Sequence, residues 1–183
     1  IAKSYDDPRI KVFSYEHTGY QGVISQRLSK HAIGDYLLVH DSDDYSYPDR
    51  MAILMAEAEK NPDAVLVYGK LELKLEIAVV PNIPIEAFDP IPFFTLKQKI
   101  PDGSAMFKRS AFEEIGGFDL SLTFYEDMDL RFRLAYLGPF LFVDSPLYVY
   151  RFHPKMSTKT REEASVLNTV VRKNYHYAKS YLK

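Results

Sequence analysis

The sequence contains no cysteine and no tryptophan. Without cysteine there is no disulfide frame, no thiolate metal site and no cysteine nucleophile. That absence suits a reducing cytoplasm, with the protein either free or peripheral to a membrane. Long apolar runs are missing as well. Stretches such as Tyr36-Leu37-Leu38-Val39 fall far below the roughly 20 residues that a helix needs to cross a bilayer, so no transmembrane segment is expected. The opening, Ile1-Ala2-Lys3-Ser4-Tyr5-Asp6-Asp7-Pro8, has neither an initiator Met nor the apolar core of a signal peptide, and it reads as the middle of a longer protein. Charge of one sign is also lacking. The 23 basic and 25 acidic residues leave a net charge of −2 with no basic block, so no nucleic-acid partner is expected. There is no internal repeat and no low-complexity segment.

The 183 residues, 46% hydrophobic and 26% charged, make a single folded domain over 1–183. The β-branched and aromatic residues of 10–15 predict a strand. A helix follows over 23–32, stopped by Gly34 in the left-handed conformation. Residues 36–39 read as a strand buried on both faces. Pro48 then fits the first turn of a helix carrying Met51, Leu54, Met55 and Ala58, which ends at Asn61-Pro62. Residues 64–68 are a second buried strand, closed by Gly69. Strand, helix, strand, helix, strand predicts an α/β fold, its sheet mixed and largely parallel and flanked by helices.

Residues 71–80 alternate Glu72, Lys74 and Glu76 with Leu73, Leu75 and Ile77, as an exposed strand or hairpin arm would. Pro81, Pro84, Pro90 and Pro92 exclude regular structure, which makes 81–100 a long loop near the site. Ser110 and Glu113 form a capping box for a short helix ending at Gly116-Gly117. Residues 125–137 are the clearest helix, with Leu130, Leu134 and Leu137 on its buried stripe. Two short strands follow at 140–144 and 147–152. A final helix spans 161–182, with Val166, Val170 and Tyr177 near one face. Its Arg161, Arg172, Lys173, Lys179 and Lys183 read as a solvated face, since acidic and polar residues interrupt them.

Chemistry concentrates at two places. Asp41-Ser42-Asp43-Asp44 puts three carboxylates in four residues, which repel one another unless something positive sits among them. The run follows a buried strand, where open α/β sheets bind ligands. Hard divalent cations such as Mg²⁺ take one or two carboxylates plus substrate phosphates. The alternative is a solvated Asx-rich turn that caps the next helix. An EF-hand loop fails, because Ser46 stands where Gly is needed and Ala52 where Glu is needed. The second place is Glu126-Asp127, at the start of a helix. A carboxylate there stays ionised and suits a general base, although the pair taken alone favours ordinary helix capping and dipole complement.

Seven stretches in order carry a resemblance. They are Asp7-Pro8-Arg9-Ile10, the segment from Gly34-Asp35-Tyr36-Leu37 to Asp41-Ser42-Asp43-Asp44, and Pro48-Asp49-Arg50-Met51. Further on come Gly103 to Arg109, Ile115 to Asp119, Glu126-Asp127-Met128-Asp129-Leu130 and Tyr150-Arg151-Phe152-His153. Together they cover roughly residues 5–157 and resemble the family 2 glycosyltransferases. The resemblance implies a GT-A-type fold, Rossmann-like and here N-terminally truncated. It also implies a nucleotide-diphosphate sugar donor, a UDP-sugar first among them, a glycan or lipid-linked acceptor, and a role in polysaccharide synthesis.

The resemblance assigns roles too. Asp41 would touch the ribose or a Mg²⁺ or Mn²⁺ ion. Asp43 would be the principal ligand of a D-x-D motif, with Asp44 beside it on the donor. Asp127 would be the base of an inverting transfer, and Glu126 would orient the acceptor. Gly103 and Ser104 would lie where donor and acceptor meet, and His153 would approach the metal or diphosphate. Three departures stand out. The strand-helix-strand segment that usually contacts the base is missing. Gln26 or Arg27 replaces the family's helical Asn. The Gln-x-x-Arg-Trp motif of processive synthases is absent, which argues against a polymerising synthase. A sugar-phosphate nucleotidyltransferase is the nearest rival enzyme, although the Gly-rich basic loop it would carry is not present. A non-catalytic carbohydrate- or nucleotide-sugar-binding fragment is the other alternative.

Overall fold

A computed structural model describes residues 2–75, 79–81, 85–153 and 164–181. Among them lie six strands: β1 (Tyr36–Leu37), β2 (Tyr45–Ser46), β3 (Leu66–Lys74), β4 (Val79–Pro81), β5 (Ala105–Lys108) and β6 (Phe140–Arg151). Six α-helices accompany them: α1 (Gln21–Ser29), α2 (Arg50–Lys60), α3 (Pro90–Phe94), α4 (Arg109–Glu114), α5 (Glu126–Leu137) and α6 (Ala164–Tyr181). The strands form one mixed sheet in the order β1-β5-β3-β6-β2, with β4 pairing on the far end of β3. The long central pair β3–β6 is parallel, and the shorter strands pair antiparallel.

Side-chain alternation along β3 divides the core. Leu66 and Tyr68 point to one face, where α4, α5 and α6 contribute Phe112, Leu130, Leu134 and Val170. Val67 points to the other face and meets Leu54 and Ala58 of α2, with Met106 and Leu147. These are the two covered faces of an α/β layer architecture.

The structure corrects several boundaries. Residues 10–15 form no strand. Ile10, Val12 and Phe13 are exposed, Phe13 stacks on His31 and the Tyr15 hydroxyl bonds the same ring, since β-propensity without a pairing partner makes no ladder. Gly34 is not left-handed. The helix ends earlier, at Ser29, with Lys30 in the right-handed region. Residues 36–39 are half-buried, and of them Tyr36 and Leu37 pair, antiparallel, with β5. Gly69 does not close a strand but lies within β3, where a Cβ would come within 2.4 Å of Leu147 Cδ1. Here β6 bulges against β3, with register shifts on either side of Lys70, and glycine admits the close approach. The two short strands expected over 140–152 are therefore one bulged strand.

The proline-rich segment does hold a helix, α3. Pro90 sits in its first turn, where a missing N–H costs nothing, and Asp89 Oδ1 caps Ile91 N at 2.9 Å. The capping box at Ser110 does not form. The helix begins at Arg109, and Arg109 pairs with Glu113 at 2.9 Å instead. β4 makes a hairpin arm against β3, as expected. Glu76, Ile77, Pro84, Arg161 and Lys183 lie outside the described residues.

Candidate active site

The acidic run sits on the turn between β1 and β2, held from below by buried polar groups. Arg50, 3% exposed, donates to Ser46 Oγ at 2.9 Å and to the carbonyls of Val39 and Ala105, and its guanidinium lies 5.0 Å from the centre of the Tyr148 ring. Tyr148 is fully buried, and its hydroxyl accepts from the Asp41 backbone N at 3.1 Å. Gly103 packs flat on that ring, since a Cβ there would fall 2.3 Å from Cε1. One buried tyrosine thus sets both the turn and the loop before β5.

The three aspartates have different surroundings. Asp41 Oδ1 accepts from Gln21 Nε2 at 2.8 Å. Burial pushes its carboxyl above the ordinary value, and the nearby charges of Asp44 and Asp43 add to the effect. Asp43 Oδ2 lies 2.9 Å from His153 Nε2, and that bond holds the Asp43 carboxyl below its usual range. Asp44 is buried and accepts from Arg151 N at 2.8 Å, which ties the turn to β6. The Arg151 side chain also donates to the Asp43 carbonyl.

Glu126 and Asp127 open α5 after Tyr125, whose φ of 57° is a left-handed conformation seldom adopted by a large side chain. Glu126 packs on Gly22 of α1, where a Cβ would lie 2.9 Å from its Cγ. Asp127 Oδ2 accepts from Arg131 one turn later, and Arg131 also donates to Asp102 Oδ1 at 3.0 Å. Burial lifts the Asp102 carboxyl to about 6, with Arg131 opposing and Asp127, Asp41 and Glu126 adding.

A cavity of about 670 Å³ brings the two groups together. Asp41, Asp43, Asp44, Gly103, Glu126 and Asp127 all line it. Ser104 is not among the lining residues. It is fully buried and donates to the Gly69 carbonyl at 2.7 Å. His153 stands behind Asp43 and is not among the lining residues either. Gln26 serves α1 packing, its Oε1 accepting from Phe118 N at 2.8 Å, while Arg27 lies over Tyr15. Sequence reasoning missed Gln21, Asp102, Arg131 and Tyr148. Only Arg131 had a readable signal, the i,i+4 spacing from Asp127.

Asp43 Oδ2 and His153 Nε2, hydrogen-bonded 2.9 Å apart, would be the two side chains of this corner that a hard cation could share. Adjacent ligands of an octahedral shell with bonds near 2.1 Å have about that spacing. Among the described residues there is no group of three or more His, Cys, Asp or Glu arranged around a common point. Substrate oxygens would therefore have to complete such a shell.

The profile described as "Glycosyl transferase family 2" matches residues 1–116. An uncharacterized glycosyltransferase of Haemophilus influenzae is 27% identical over 163 residues, covering 86% of this chain and 54% of that protein. Another, from Rickettsia felis, is 28% identical over 180 residues, covering 91% of this chain and 29% of that one. The chain thus spans about half or less of the curated relatives it matches. Among solved structures, S. aureus TarS 1-349 in complex with UDP-GlcNAc aligns with a TM-score of 0.72 at 15% identity, covering 94% of this chain and 55% of that one. The complex of TarS 1-349 with UDP aligns at 0.68. At that identity the likeness is one of fold, and it bears out the GT-A-type α/β architecture. No helix of the described residues is long and apolar enough to cross a membrane.

Proposed function

The chain belongs to the family 2 glycosyltransferases, and we propose that its cavity transfers a sugar, with inversion, from a nucleotide diphosphate to a hydroxyl acceptor. One arrangement supports this reading: an acidic corner with a histidine at its back and a helix-borne carboxylate pair face the same cavity. The fold shared with TarS, which was crystallised with UDP-GlcNAc and with UDP, favours a UDP-sugar as donor. The acceptor is a glycan or a lipid-linked sugar, and the product belongs to a cell-surface polysaccharide made in the cytoplasm, free or at the membrane face.

Asp43, with Asp41 and His153, would hold Mg²⁺ or Mn²⁺. When bound, the ion supplies positive charge for the departing diphosphate. The chain's own residues do the rest. Gly103, packed against the Tyr148 ring on the cavity wall, lies where donor and acceptor meet, and Glu126 orients the acceptor. The acceptor oxygen attacks the anomeric carbon from the side opposite the diphosphate and gives its proton to Asp127. The bond from that carbon to the diphosphate oxygen breaks, and the nucleoside diphosphate leaves with the electron pair.

Calorimetry with UDP-GlcNAc, with and without Mn²⁺, tests this on the full-length protein. Binding should depend on Mn²⁺ and weaken in Asp43→Ala, while Asp127→Asn binds as well as the parent and transfers nothing. Metal-independent binding that Asp43→Ala leaves intact would assign the chain to the non-catalytic binding alternative.

A further inference from the structure

Arg131 occupies the centre of a three-residue contact on the cavity wall. Its side chain is 7% exposed, against 26% for Asp102 and 37% for Asp127. One guanidinium nitrogen donates to Asp102 Oδ1 and the other to Asp127 Oδ2. All three residues line the cavity. A planar fork that meets two carboxylates at once fixes its own plane, which a point-charge lysine does not do. Asp127 is thereby gripped by one oxygen, Oδ2, on the cavity wall.

We propose that Arg131, steadied by Asp102, is a positioning residue for the transfer. It holds the Asp127 carboxylate by one oxygen, in the rotamer that leaves the other to the acceptor hydroxyl. The inference rests on the reading of Asp127 as the base. An ion pair that served only to stabilise the helix would link Arg131 to Asp127 alone. Here the guanidinium reaches across to the loop before β5, and its second partner faces the same cavity.

Glu126 on α5 and Asp41 after β1 lie near Asp102, as do Arg131 and Asp127, and Arg50 on α2 lies near it too. Carboxylates outnumber cations there, so the Arg131 fork is the group that keeps Asp102 and Asp127 from moving apart. Removing Arg131 leaves Asp127 without its partner on α5. Removing the Asp102 carboxylate leaves the guanidinium held on one side only.

The experiment compares Arg131→Met, Arg131→Lys and Asp102→Asn in the full-length protein, with UDP release from UDP-GlcNAc followed at pH 7. Arg131→Met is expected to lower kcat about 10- to 100-fold, with KM for UDP-GlcNAc unchanged. Arg131→Lys, a point charge without the fork, should recover part of the rate, and Asp102→Asn should lower kcat less than Arg131→Met, again with KM unchanged. Carbon-13 relaxation of the Asp127 side chain reads the same hold without turnover and should show a more mobile carboxyl in Asp102→Asn and Arg131→Lys than in the parent. Turnover and Asp127 mobility equal to the parent's in both would overturn the proposal, even if Arg131→Met does not fold. If the parent releases no UDP, the donor assignment fails by itself, and the relaxation data still decide whether the contact holds Asp127.

Discussion

Asp43 and Asp44 are adjacent in sequence and opposed in environment. Asp43 is part-exposed and bonded to His153, while Asp44 is buried and anchors the turn to the Arg151 backbone. Asp44→Ala should therefore lower thermal stability by about 1–3 kcal/mol, because a buried N–H loses its acceptor. Asp43→Ala should leave the melting temperature nearly unchanged and act on nucleotide binding instead. Differential scanning calorimetry of the two variants separates these roles, and equal losses would contradict the assignment. Gly103 carries a second prediction at this scale. A methyl group there meets the ring of fully buried Tyr148, so Gly103→Ala should destabilise by about 1–3 kcal/mol. Because Tyr148 also supports Asp41, the same variant should weaken donor binding, which calorimetric titration would read. Neither Tyr148 nor Asp102 was legible in the sequence. A tyrosine in a strand and an aspartate in a Pro-Asp-Gly turn look ordinary, and only the tertiary contact gives them work.

Helix α5 has two working faces. Its first turn presents Glu126 and Asp127 to the cavity, while Asp129, fully buried, turns away from it. Asp129 accepts from Asn174 Nδ2 at 2.8 Å, Lys173 Nζ at 3.0 Å and Arg133 Nε at 2.8 Å. Glu126, Asp127 and Asp129, close together in one turn, thus divide between a site and a dock for α6. Lys173, read as part of a solvated face, bonds Asp119 as well as Asp129. Asp129→Ala should cost about 3–5 kcal/mol, since it strips a buried carboxylate from its cations. It should also release α6 first, seen as faster amide exchange over 164–181 than over β3. Equal exchange in both regions would place Asp129 in the global core instead. Helices α2 and α5 were legible because Leu54 and Ala58, and Leu130 and Leu134, are spaced on the faces these helices bury, although Met51 of the expected stripe is exposed. Residues 10–15 and Gly69 were misread because a strand's extent is decided by its partner and not by its own residues.

For the whole molecule, acid stability combines two carboxylates with opposite signs. At Asp119 burial works against the charge, but Lys173 and Ser121 outweigh it and hold the carboxyl at about 2, below its ordinary 3.8. Its contribution is full above about pH 4 and is lost as pH falls through 2. Asp102 is raised to about 6, so the native state keeps a proton that the unfolded chain has released. Stability therefore declines as pH rises from about 4 to 6 and is flat above that. Urea midpoints across pH 2–8 should show a maximum near pH 4 from these two groups. Asp102→Asn should abolish the decline between 4 and 6 and leave the acid side intact. A decline that persists in that variant would place the titrating group elsewhere. The sequence by itself determined the alternation of helices and strands, the two acidic groups and their order along the chain, because local spacing and charge are properties of neighbours. Only the tertiary structure decided that Asp41-Ser42-Asp43-Asp44 and Glu126-Asp127 share one cavity, that Ser104 lies outside it, and that Arg131 joins Asp127 to Asp102. The reason is physical: these depend on β3 and β6 lying parallel with a bulge between them, and on one buried tyrosine that fixes the turn to the sheet.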